Sequence, residues 1–159
     1  MEERFNPFKA APGAYKAMSA LQAYVSGSEV ETSIRHLVAL RASQINGCAF
    51  CLAMHAREAR EHGESDVRIH LLNAWREAGV FTPRERAALA WTEALTQVAK
   101  THAPDDVYEE ARAHFSEKEL ADLTMAIVAI NGWNRIAIGL RSEPGIYQPA
   151  RKAAAGAKG

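Results

Sequence analysis

Cysteine is scarce in this chain: its 159 residues hold only two, Cys48 and Cys51. So close a pair closes almost no loop, which excludes the long-loop disulfide framework of a secreted domain. Net charge is absent too, because 19 basic residues cancel 19 acidic ones. That removes the electrostatic footprint of a nucleic-acid binder or of a protein drawn to an anionic membrane. It also does little to oppose self-association. Aromatics are few, at 8%, yet hydrophobic residues make up 48%, enough for the core of one domain. The charged start, Met1 to Lys9, lacks the apolar run of a secretory signal. The longest apolar stretch, Met125 to Leu140, is broken by Asn131, Gly132, Asn134 and Arg135 and reads as too short and polar for a bilayer span. A reducing cytoplasm is therefore the expected setting, and there a close cysteine pair means redox work or metal.

Helical periodicity fills most of the rest. Residues 1–12, with Pro7 and Pro12, are expected to form an extended arm ahead of a helical domain over 13–145. A first helix is predicted over Ala14 to Val25. Ser28 to Glu31 matches a capping box, and Val30, Ile34, Leu37, Val38 and Ile45 recur behind it at helical spacing. The Asn46-Gly47 pair should stop that helix, and a third restarts at Cys48 and runs to about His62, before Gly63. A weaker segment spans Ser65 to Ala78. Thr82-Pro83-Arg84-Glu85 is the clearest helix start, leading to about Lys100. Pro104 opens a helix through His114, and Ser116 to Glu119 caps a long one with apolar residues all round from Met125. The tail, 146–159, is expected to be flexible. No run alternates as a strand does, so the expected class is all-α, a single-domain bundle of six to seven helices. Ile45-Asn46-Gly47-Cys48 is echoed by Ile130-Asn131-Gly132-Trp133.

The chemistry concentrates at Cys48, Cys51 and His55. On a helix turning ~100° per residue these share one face. First-turn N–H groups and the helix dipole favour a thiolate, and His55, one turn after Cys51, can take its proton. Helix electrostatics favour Cys48 as the acidic thiol; proximity to His55 favours Cys51. A thiolate here can attack a peroxide O–O bond, and the second thiol can condense with the resulting sulfenic acid. The same residues, with His36, form a Cys₂His₂ set on paper, so a zinc site is a rival reading. Redox sensing without catalysis is another.

The run Leu37-Val38-Ala39-Leu40-Arg41-Ala42-Ser43-Gln44-Ile45-Asn46-Gly47-Cys48-Ala49-Phe50-Cys51, with Met54-His55 behind it, resembles the alkylhydroperoxidase D-like branch of the carboxymuconolactone decarboxylase family. The resemblance extends through Glu58-Ala59-Arg60, Trp75-Arg76, Arg84 to Leu89 and Asn131 to Arg135. It implies an all-helical fold assembled as trimers or hexamers, and peroxidase activity without metal or organic cofactor. It implies Cys51 as the attacking thiol, Cys48 as the resolving thiol and His55 as the base. The implied reductant is a dithiol donor, a lipoyl protein or a thioredoxin-like one. The family's relay glutamate, twelve positions before the first cysteine, is replaced here by His36, whose ordinary pKa near neutrality would let it pass a proton. The relay histidine before the second cysteine is replaced by Phe50. A decarboxylase-type lyase on the same fold is the remaining alternative, but that branch does not depend on the cysteine pair.

Overall fold

A computed structural model describes residues 2–144 of the chain. Among these residues there are only helices and loops. Helix α1 (Pro7–Ala10) and α2 (Pro12–Ser26) precede α3 (Thr32–Asn46) and α4 (Ala49–Glu61). Then come α5 (Asp66–Leu71), α6 (Pro83–Thr96), α7 (Val98–Thr101), α8 (Asp105–His114) and α9 (Glu117–Leu140). The all-α expectation holds; α5 falls within the weaker segment expected over Ser65 to Ala78, and the additional elements are the short α1 and α7.

Several ends form as local chemistry demands. Thr82 and Ser116 each accept from the backbone N–H three residues on, and Glu85 and Glu119 reach back to complete the capping boxes. Gly47 ends α3 with φ 71°, in the left-handed region that glycine enters without penalty. Two expectations need correcting. The arm over 1–12 is not wholly extended: the Asn6 side chain accepts from Lys9 N–H and Pro7 takes the first helical position, so one turn of helix forms. Ser28 and Glu31 do not make a capping box either. Ser28 Oγ donates to the Val25 carbonyl at 2.8 Å. The Glu31 carboxylate accepts from Arg84 at 2.9 and 3.1 Å, a charge-assisted fork that outcompetes a backbone N–H. The expected tail, 146–159, lies outside the described residues.

Helix α3 is the centre of the bundle, packed against α4, α6 and α9. One side of it, Ile34 and Val38, joins Ala88, Trp91, Phe115, Leu123 and Ile127. Another, Leu37 and Leu40, joins Ala59, Leu72, Trp75, Phe81 and Leu89. Each fully buried leucine contributes about 1.5–3 kcal/mol of burial energy. The third side, Ala39 and Ala42, packs on Cys48, Cys51, Ile130 and Ala137. Small residues there let α4 and α9 approach closely around the sulfurs.

Helix α9, at 24 residues, is longer than its apolar stretch suggested and is long and apolar enough to cross a membrane. Its polar positions are nonetheless built into the bundle. Asp122 and Asn134 are buried, with Asp122 accepting from Tyr24 Oη at 2.7 Å and Asn134 donating to Ser43 Oγ at 3.0 Å.

Candidate active site

Gly47 turns the chain out of α3 so that Cys48 becomes the N-cap of α4, in extended conformation with φ −84° and ψ 95°. Cys48 is therefore not on the helical face expected for it; its sulfur sits over the helix start. Cys48 Sγ accepts the Cys51 N–H at 3.3 Å. Both cysteines are free thiols and each is 1% exposed.

The pair does not share its proton evenly. A hydrogen bond from the Cys51 side chain lowers the Cys48 thiol to about 7, against the opposing effect of burial; the Cys51 and Phe50 N–H groups and the Asn134 amide add to it. Donating that bond, together with burial, pushes Cys51 up. The helix start thus favours the thiolate on Cys48.

Access runs the other way. A cavity of about 800 Å³ is lined by Cys51, His55, His36 and Glu58, with Phe50 and Trp133 among its walls. Cys48 is not part of that lining; it lies behind Cys51, towards Asn134. A volume of this size suits a small organic ligand. Leu52 and Ala59, also on α4, pack into the Leu37–Trp75 cluster. The stripe that faces the cavity is Cys51, Met54, His55, Glu58 and His62.

His55 Nδ1 lies 2.9 Å from Glu58 Oε2, an i,i+3 pair on α4. The carboxylate orients the ring and leaves Nε2 as the other functional nitrogen. His36 reaches the same cavity from α3. Burial, with the adjacent His62 second, lowers it to about 4. It is therefore neutral at ordinary pH, and the expected near-neutral titration does not hold. Its ring lies 4.8 Å from that of His62, and its Nε2 is buried without a hydrogen-bond partner among the described residues.

Three of the four expected residues, Cys51, His55 and His36, thus line one cavity, with Cys48 set behind Cys51. Two further residues carry the site. Glu58 supplies a carboxylate beside His55, where position 36 offers none; its spacing from His55 on one helix was the signal. Asn134 touches the cysteine pair from α9 and is fully buried. Asn46 Nδ2 donates to Asn134 Oδ1 at 2.8 Å and to Asn131 Oδ1 at 2.9 Å. Asn46 and Asn131, the asparagines of the two echoed Asn-Gly pairs, thus meet between α3 and α9.

Fold and site together define an all-helical protein built around a reduced cysteine pair and a histidine–glutamate couple. The chain belongs to the carboxymuconolactone decarboxylase family, whose profile matches residues 12–94. It is 51% identical to an Agrobacterium tumefaciens protein, ATU0492, described as of unknown function and as a candidate antioxidant defence protein AhpD. That crystal structure covers 92% of this chain and all of its own, with a TM-score of 0.88. The uncharacterized protein YdfG of Bacillus subtilis is 39% identical over 140 residues, 88% of this chain and 95% of its own. An alkylhydroperoxidase AhpD core structure, an uncharacterized peroxidase-related protein from Ralstonia eutropha, shares the fold at 18% identity. It covers 87% of this chain and 74% of its own, with a TM-score of 0.76.

Proposed function

We propose that the protein is a thiol-dependent peroxidase that reduces hydroperoxides through Cys51 and Cys48. The observation that carries this reading is a free, unequally acidic thiol pair of which one member, Cys51, opens on the cavity that also holds His55. His55, held by Glu58, takes the Cys51 proton. The Cys51 thiolate attacks the terminal peroxide oxygen, the O–O bond breaks, and the alkoxide leaves with a proton as alcohol. Cys51 is then a sulfenic acid. The Cys48 thiolate, already favoured at neutral pH, attacks that sulfur; hydroxide leaves, takes a proton from solvent and departs as water, and a Cys48–Cys51 disulfide remains. An external dithiol returns the pair by exchange. The acidity of Cys48 suits the second step and its position behind Cys51 suits a resolving role.

The reading brings a dithiol donor, a lipoyl protein or a thioredoxin-like one, together with a cytoplasmic setting and self-assembly as trimer or hexamer. Its test is a thiol titration before and after addition of an organic hydroperoxide. The expected result is loss of both free thiols per chain and peroxide consumption that continues only with a dithiol donor. Full donor-dependent turnover in a Cys51→Ser variant would sink the assignment.

A further inference from the structure

We propose that His36, His55 and Glu58 form a binding site for a divalent transition-metal ion, of the zinc or cobalt kind, in the wall of the cavity. One donor atom from each residue lies within 4.8 Å of the other two. His55 and Glu58 present neighbouring donors from one face of α4, already held together at 2.9 Å. His36 closes the triangle from α3. Zinc bonds of about 2.0–2.2 Å need donor separations of about 3.4 Å, which rotation of side chains in a cavity wall can supply.

The independent sign is the state of His36. Its Nε2 is shut off from solvent and has no hydrogen-bond partner among the described residues. A buried polar atom left unpaired is costly, so its presence asks for an occupant. The donor chemistry specifies which. Two imidazoles and one carboxylate suit zinc, cobalt or iron(II) and disfavour calcium and magnesium, which take oxygen ligands. Three protein donors leave a coordination position open to the cavity of about 800 Å³.

This set differs from the Cys₂His₂ grouping that the sequence allows, since Cys48 does not line the cavity. Binding would also engage His55, so an ion and the peroxidase chemistry compete for the same imidazole. The metal thereby switches the thiol pair off while it is bound.

The test uses the full chain carrying Cys48→Ser and Cys51→Ser, so that binding is read without thiol chemistry and independently of any peroxidase activity. Cobalt(II) is titrated and its visible ligand-field bands recorded, with zinc as competitor. The expected result is saturation at one ion per chain, displacement by zinc, and at least about tenfold weaker binding after His36→Gln. Far-ultraviolet circular dichroism checks the variant's fold, and Glu58→Gln serves if His36→Gln does not fold. Absence of ligand-field bands in the serine chain overturns the site, as does binding that survives loss of His36 or Glu58 undiminished.

Discussion

Cys48 accepts hydrogen bonds at the start of α4, while Cys51 donates to it and faces the cavity. The first proton to leave the pair therefore leaves a thiolate on Cys48. Thiolate ultraviolet absorbance of the reduced protein is expected to rise with a midpoint near pH 7, the value to which Cys48 is lowered. The sign is that of an acid depressed by folding: the thiolate is present above that pH and is lost as pH falls through it. Cys51→Ala removes the largest stabilising hydrogen bond, so the midpoint should move upward. A midpoint unchanged in that variant would place the acidity elsewhere. Asn134 is the other residue on which the site depends. Asn134→Ala takes away one of the two acceptors of Asn46 and the donor to the buried Ser43 hydroxyl, and is expected to cost about 1–3 kcal/mol in urea unfolding. The same variant should raise the Cys48 midpoint, since the amide favours its thiolate.

At the scale of the element, α4 carries Cys51, His55 and Glu58 into the cavity wall, and Gly47 sets where it starts. Nothing lies within 4 Å of a Cβ built at Gly47, so Gly47→Ala meets no obstacle and pays only for its φ of 71°. That strain is about 1–2 kcal/mol, readable in chemical denaturation. If the variant relieves it by rotating the turn, the Cys48 sulfur leaves the Cys51 N–H and the thiol midpoint rises in parallel. Turns and caps of this kind are legible in sequence because the groups that satisfy one another are three residues apart. Thr82 with Glu85 and Ser116 with Glu119 form the predicted boxes. Ser28 with Glu31 has the same spacing and fails: α3 begins only at Thr32, with Glu31 at its N-cap, and the Glu31 carboxylate goes to Arg84, 53 residues away.

On the whole molecule, the apolar surface of α9 is only partly covered within one chain: Met125, Val128 and Ile138 are 36%, 49% and 47% exposed. The self-assembly proposed above would cover it. Light scattering should then give a trimer or hexamer of the 17.4 kDa chain, and Val128→Glu should lower that mass. A monomer in both would remove assembly from the proposal. By itself the sequence determined the all-helical class, the Asn46-Gly47 break and the close cysteine pair behind it, since each follows from periodicity or from neighbours along the chain. Only the tertiary structure decided that Cys48 caps α4 and stands behind Cys51. It also decided that Glu58 pairs with His55 in the cavity wall, that burial holds His36 neutral and that Asn134 reaches the sulfurs. Those facts depend on how deeply α3, α4 and α9 bury one another, and spacing along one helix does not encode the desolvation or the partners contributed by another.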